Sequence, residues 1–186
     1  MVSGYDRQMA GIGFNSSVAV NNGNTMVVAW ETIDILSLKF RIMAALFPPA
    51  GEPAQGPLQL GVGSGYNPSA FVDAGNYLVN SGIDIASDSE GNFFVTWGGS
   101  NLLSNQIYLK IIYADGSYLS NEIQVSQGFD LNYSPSLAID ADDTIIISWN
   151  KVSLANLFSG IGSVYARRYD NSLQALGDEF KVNISY

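Results

Sequence analysis

Two amino acids are missing from this chain of 186 residues. It contains no cysteine, which excludes disulfides and thiolate sites. It contains no histidine either, which removes the commonest general base and most kinds of zinc site. The sequence therefore excludes a disulfide-stapled scaffold and a serine triad that depends on histidine.

Positive charge is scarce. Lys and Arg together number 8 against 17 Asp and Glu, for a net charge of -9. Such a surface repels phosphate backbones and anionic lipids, and no apolar run approaches the roughly 20 residues needed to span a bilayer. We therefore expect neither nucleic-acid binding nor membrane insertion. Only 13% of the residues are charged, and a surface rich in neutral polar residues and poor in lysine is typical of an extracellular or cell-surface bacterial protein.

What the chain does have is an internal repeat. Three tryptophans, Trp30, Trp97 and Trp149, each end a β-branched or aromatic run. Each run follows a short polar turn and an earlier apolar run, which is the pattern of a β-hairpin. A second hairpin follows each tryptophan: residues 107–126 align with residues 164–183 without a gap, and residues 42–61 form a degenerate first copy.

The repeat predicts an all-β single domain of residues 1–186, built from three four-stranded antiparallel propeller-type blades at about 15–61, 83–126 and 134–183. A β-trefoil is the alternative, since it also has three four-stranded repeats. We expect each tryptophan to pack between blades, and each final strand (I-Q-V or F-K-V) to be half-buried. Residues 66–80 look like an inserted hairpin.

The third copy carries a family resemblance. Its segments P-S-L-A-I-D, I-I-I-S-W and L-G-D-E-F-K-V-N resemble a blade-like repeat that occurs in tandem in large secreted bacterial proteins, which often also carry calcium-binding repeat arrays. The resemblance implies β-propeller blades. The glycine-rich calcium nonapeptide of those arrays is absent here, and the family implies no catalytic residues.

The copies differ mainly in the loops at one end of the strands, which is typical of a scaffold with a binding face there and equally of neutral drift in unconstrained loops. Aromatic and polar residues in these loops suit stacking on a sugar ring and hydrogen bonding to it. The candidate ligand-binding residues are Tyr66, Asn67, Phe129, Asp130 and Tyr133.

The acidic turn of the third copy contains Asp140, Asp142 and Asp143. Clustered carboxylates are ligands for a hard cation, so calcium is the one metal that this turn suggests. Asx residues at turns also bond the local backbone without any metal, and this interpretation is favoured over a cofactor.

No catalytic motif stands out, so the sequence predicts a protein that is not an enzyme. The leading hypothesis is a binding or adhesion module that recognises a glycan or a protein. The alternatives are a structural repeat of a surface assembly and, with less support, a fragment of a carbohydrate-active enzyme. Because three blades do not close a ring, we expect a homodimer of six blades or a part of a longer repeat chain.

Overall fold

The fold is described from a computed structural model, which covers residues 11–34, 39–53, 57–63, 82–101, 104–118, 121–156 and 162–183. The strands fall into three consecutive groups of four, called units 1, 2 and 3. Unit 1 contains β1 (Gly11–Val20), β2 (Met26–Asp34), β3 (Lys39–Phe47) and β4 (Leu58–Val62). Unit 2 contains β5 (Ile83–Ser87), β6 (Phe93–Asn101), β7 (Ser104–Ile112) and β8 (Ile123–Gln124). Unit 3 contains β9 (Leu131–Ile139), β10 (Ile145–Val152), β11 (Ser163–Tyr169) and β12 (Phe180–Lys181).

Within each unit the neighbouring strands pair antiparallel in chain order. A single parallel pair, Asn105 with Leu131, joins units 2 and 3 at a corner. The only helix in the described parts is one 3-10 turn, Leu154–Asn156. The chain is therefore all-β with a propeller-type fold, as predicted, and it is not a trefoil. No described segment forms a helix long and apolar enough to cross a membrane.

The turns between the first two strands of each unit share one geometry. The side-chain oxygen of Asn21 accepts hydrogen bonds from the backbone N–H groups of Gly23 and Thr25, and that of Asp140 accepts from Asp142 and Thr144. The fourth turn position is left-handed in every unit, which glycine, Asn and Asp tolerate best. These residues are Asn24, Gly91 and Asp143, with φ of 58°, 88° and 58°. We call this end of the strands the turn end and the opposite end the loop end.

The hydrophobic core lies between the units. One cluster joins Val27, Ile42 and Leu60 of unit 1 to Phe93 and Trp97 of unit 2. The other joins the opposite face of unit 2 to unit 3, and it includes Trp149. Trp97 and Trp149 are 0% and 2% exposed, so both pack between units as predicted. For Trp30 the prediction was wrong, because Trp30 is only partly buried and belongs to neither core cluster of the described residues.

The last strand departs from expectation. In unit 2 the I-Q-V segment is half-buried, and Val125 is fully buried. In unit 3 the matching segment, Phe180 to Val182, is exposed throughout. The alternating pattern was therefore right for unit 2 and wrong for unit 3, because none of the described units covers that side of unit 3. The predicted insertion at 66–80 lies outside the described residues.

Candidate functional site

The first strands of the three units meet at one carboxylate. Ser17 on β1, Asp84 on β5 and Ser136 on β9 occupy the same position of the repeat. The Ser17 hydroxyl donates to Asp84 Oδ1 at 3.4 Å, and the Ser136 hydroxyl donates to Asp84 Oδ2 at 3.1 Å. Asp84 is therefore the acidic residue at the point where the units converge.

Two backbone donors complete the shell around Asp84. The N–H of Leu137 donates to Oδ2 at 2.8 Å, and the N–H of Ile85 donates to Oδ1 at 2.9 Å. Each carboxylate oxygen thus accepts two hydrogen bonds. The four donors lie on three different strands, β1, β5 and β9. Because all four partners are donors, they fix the orientation of the carboxylate.

The chain approaches this carboxylate through an unusual backbone conformation. Two residues before Ser17, Asp84 and Ser136 stand Asn15, Gly82 and Ser134, and all three are left-handed, with φ of 50°, 54° and 51°. The pairing registers of β1 and β9 shift beside Asn15 and Ser134. A Cβ on Gly82 would lie 2.9 Å from the Ser134 Cα, so this position needs glycine for its close approach as well as for its φ. This conformation is costly for Ser134, whereas glycine and Asn tolerate it better, and such strained positions concentrate at functional sites.

A second carboxylate lies toward the loop end of unit 1. Glu31, near the end of β2, is 2% exposed, and its Oε2 accepts a hydrogen bond from Asn15 Nδ2 at 3.1 Å. The neighbouring backbone is close, since a Cβ on Gly63 would come within 2.3 Å of Glu31 Oε1. Asn15 therefore links this buried acid to the same first strand that contacts Asp84.

Three of the sequence-predicted ligand residues, Phe129, Asp130 and Tyr133, are described by the structure and lie at the loop end. Phe129 is 76% exposed, and Tyr133 is half-buried on β9. Asp130 lies 3.6 Å from the Lys151 ammonium, which also pairs with Glu179 and sits over the Tyr165 ring. Tyr66 and Asn67 lie outside the described residues. Of this set, the structure leaves the Phe129 ring the most open to solvent.

The acidic turn is occupied by structural hydrogen bonds. Asp140 accepts from its own turn, and Asp143 accepts from the Ser89 hydroxyl and N–H of unit 2 at 2.5 and 2.9 Å. These bonds hold the pKa of the Asp143 carboxyl below its usual value. No group of three or more acidic, histidine or cysteine side chains is arranged for a metal ion within the described ranges. Calcium at Asp140, Asp142 and Asp143 stays a prediction.

An open cleft of about 280 Å³ lies between units 2 and 3 at the turn end. Its lining includes Asp88, Glu90 and Tyr113. The Asp88 carboxylate accepts both the N–H and the side-chain amide of Asn92. The Asp88 carboxylate therefore stabilises the turn, and the Asp84 carboxylate, where the three first strands meet, remains the stronger candidate site.

No protein-family model and no curated protein matches the sequence. Several solved structures share the fold. An alpha-L-arabinofuranosidase from Lactobacillus brevis matches 94% of this chain and 58% of its own, with a TM-score of 0.56 and 14% identity. An alpha-L-arabinanase from Penicillium chrysogenum, complexed with arabinobiose, matches 94% of this chain and 50% of its own, with a TM-score of 0.55 and 12% identity. A B. megaterium levansucrase matches 93% and 56%, with a TM-score of 0.55 and 6% identity.

At these identities the likeness shows the fold, and the chain spans about half the length of these proteins. All three are carbohydrate-active enzymes. This finding contradicts two predictions: that the chain is a non-enzymatic binding or adhesion module, and that it is not an enzyme. Both are wrong for the same reason, since they rested on the lack of a contiguous catalytic motif. The two carboxylates described above, Glu31 and Asp84, lie in different units of this chain, so no short motif contains both.

Sequence reasoning missed Asp84 and Glu31 as site residues. A signal for Asp84 was present, because the aligned copies place a carboxylate where the other two units have serine. No comparable signal marked Glu31. The aligned residues are Gly98 in unit 2 and Asn150 in unit 3. Because all three residues differ, a carboxylate at this position is compatible with a functional site and also with neutral variation.

Proposed function

We propose that this chain is part of a carbohydrate-active enzyme that cleaves or transfers a glycosidic bond. The observation that carries the proposal is the Asp84 carboxylate, fixed by four donors where the first strands of all three units meet. The fold likeness to an arabinofuranosidase, an arabinanase and a levansucrase supports the substrate class. The glycan partner expected from the sequence is retained, now as substrate.

Glycosidic cleavage ordinarily uses two carboxylates across the scissile bond and passes through an oxocarbenium-like transition state. We assign Asp84 the role of stabilising the positive charge that develops on the sugar ring. A preoriented anion suits this role because it needs no rearrangement as the charge forms.

Glu31 is the candidate for the second carboxylate. Asn15 holds Glu31 and Ser17 contacts Asp84, and these two residues are two positions apart on β1. Glycosidases ordinarily place two carboxylates on either side of the scissile bond. Nearby residues of one strand hold both of these acids, which supports Glu31 as the partner of Asp84.

Phe129 is proposed to stack on a sugar of the substrate, since it is an exposed aromatic ring at the loop end. We also propose an extracellular, bacterial location. The acidic surface with few lysines supports that location, and so does the resemblance of unit 3 to repeats of secreted proteins.

The experiment measures hydrolysis and transfer on arabinan, arabino-oligosaccharides and sucrose, together with calorimetric binding of arabino-oligosaccharides. Asp84→Asn keeps the shape of the side chain and removes its charge. We expect it to lower kcat by about 100-fold or more, with a smaller change in binding. Asp115→Asn is the matched control, because that aspartate serves the turn between β7 and β8.

Two results would contradict the proposal. The first is a wild-type chain that neither binds nor processes any of these glycans. The second is an Asp84→Asn variant that keeps full activity while circular dichroism shows the native fold.

A further inference from the structure

Unit 1 has an apolar face that no other part of the described chain covers. Val18 and Val20 on β1 are each 56% exposed. Met26, Val28 and Trp30 on β2 share this face and are only partly buried. We call these five residues the leading face.

The repeat shows what kind of surface covers a leading face. Met26, Val28 and Trp30 correspond to Phe93, Val95 and Trp97 in unit 2 and to Ile145, Ile147 and Trp149 in unit 3. Units 2 and 3 bury all six of these residues against the unit before them, at 2% exposure or less. The leading face is therefore equivalent to a surface that is present on units 2 and 3. In both of those units the preceding unit covers that surface.

The opposite surface is open on unit 3. Ile146 on β10, Val164 on β11, and Phe180 and Val182 at β12 form what we call the trailing face. Val182 is 51% exposed, whereas its equivalents Leu60 and Val125 are 2% and 0% exposed beneath the following unit. Unit 3 thus presents the surface that units 1 and 2 each use to receive a following unit.

The polar contacts between units differ at these two faces. Lys110 Nζ donates to the Leu60 carbonyl at 2.9 Å, and Arg167 Nη1 donates to the Val125 carbonyl at 3.0 Å. In both cases a cation on the third strand of one unit reaches the last strand of the preceding unit. Unit 1 has Ala45 at this position. Contact with its leading face therefore lacks this cation–carbonyl hydrogen bond, which favours a weaker association that depends on concentration.

We propose that the trailing face of one copy packs on the leading face of a second copy of this chain, head to tail. The two faces are complementary by the same register that joins units 1 and 2, and a single chain carries both. The solved neighbours are about twice as long as this chain, so two copies together supply about as much structure as one of them. Two such contacts related by a two-fold axis close a ring.

This proposal goes beyond the proposed function, and its test uses no glycan. Sedimentation velocity of the full chain is measured from about 1 to 100 µM. We expect a shift from one copy to two as the concentration rises. A chain that stays monomeric over this range would overturn the proposal.

Face-directed variants give the specific test. The double variant Val18→Lys, Val20→Lys breaks the leading face, and Val182→Lys breaks the trailing face. Each variant alone is expected to be monomeric with native circular dichroism. Phe129→Lys is the control, because Phe129 is more exposed than any of these residues but lies on neither face. Loss of association in the control, or its persistence in both face variants, contradicts the proposal.

Mixing the two face variants distinguishes a lost surface from a damaged fold. A mixture contains one intact leading face and one intact trailing face, on different copies. We therefore expect two-copy species to return in the mixture and to be absent from either variant alone. Failure of the mixture to associate, when the wild type does, overturns the head-to-tail arrangement.

Discussion

At the scale of single residues, the first position of each turn matters more than its exposure indicates. Asp140 is exposed, yet its Oδ1 accepts two backbone N–H groups that the strands leave without partners. Asn21 does the same in unit 1, and Asp88 bonds Asn92 in unit 2. The acidic residues at these turns hold the backbone first, whatever else they do.

Replacing Asp140 with alanine is expected to lower the free energy of unfolding by about 1–2 kcal/mol, since it removes both backbone hydrogen bonds. Asp142→Ala is the control. Its backbone N–H takes part in the turn and survives the change, so we expect a loss within about 0.5 kcal/mol. Urea denaturation followed by tryptophan fluorescence gives both values. Equal losses in the two variants would contradict this role of Asp140.

Asp143 ties unit 2 to unit 3 in a manner that depends on pH. Two hydrogen bonds from Ser89 lower the pKa of its carboxyl from 3.8. An acid whose folded pKa is lowered stabilises the protein above its unfolded pKa, and the contribution is lost as the pH falls through the folded pKa. Ser89→Ala should therefore be less stable than the wild type near neutral pH.

The difference between wild type and Ser89→Ala should shrink as the pH falls from about 4, the unfolded pKa of an aspartate, through the lowered pKa of Asp143 in the folded protein, because the folded carboxylate takes up its proton only over that range. Urea titrations at a series of pH values measure it. A difference that stays constant into acid would show that Ser89 acts through packing rather than through the Asp143 charge.

At the scale of elements, the second strand of each unit is the main packing element. Residues on one side of β6 and β10 face the preceding unit, and the alternate residues face outward or toward the following unit. Trp149 additionally donates its indole N–H to Asn132 Oδ1 at 2.8 Å. The second strands of units 2 and 3 thus contribute to the two core clusters through the same residue pattern. How deeply a second strand is buried depends on which unit it belongs to.

Truncating Trp149 and Trp30 should show how much stability depends on whether a tryptophan is covered by another unit. Trp149→Ala removes a buried ring and leaves a cavity, which is expected to cost about 3–5 kcal/mol. Trp30→Ala should cost clearly less in dilute solution, because Trp30 is only partly buried in the single chain. Thermal unfolding at low and high protein concentration measures both. Equal costs for the two variants at low concentration would contradict the burial pattern.

At the scale of the whole molecule, three units leave two apolar surfaces at the ends of the array. The interior contacts between units are the same in kind, with an apolar core and a cation from one unit reaching a carbonyl of the preceding one. In the proposed head-to-tail arrangement a second copy covers both end surfaces. Under that proposal, the second copy would supply the residues that complete the proposed site around Asp84.

The all-β class, the repeating strands and the burial of Trp97 and Trp149 between units could all be predicted from the sequence alone. Each of these is encoded locally, in a run of apolar residues ending at Trp30, Trp97 or Trp149 and in an Asx turn beside it. Such local patterns can be recognised in the sequence without knowing which units pack against them. They misled at the last strand, where the F-K-V segment has the pattern of a buried strand but no following unit to cover it.

The residues of the proposed site could be recognised only from the tertiary structure. Ser17, Asp84 and Ser136 lie in three different repeats, and hydrogen bonds bring them together only when the first strands converge. Glu31 gains its place beside this strand through Asn15, a contact that crosses from one strand to the next. A site assembled from several units leaves no contiguous motif. The local sequence specifies each four-stranded unit, and the packing of the units brings the residues of the proposed site together.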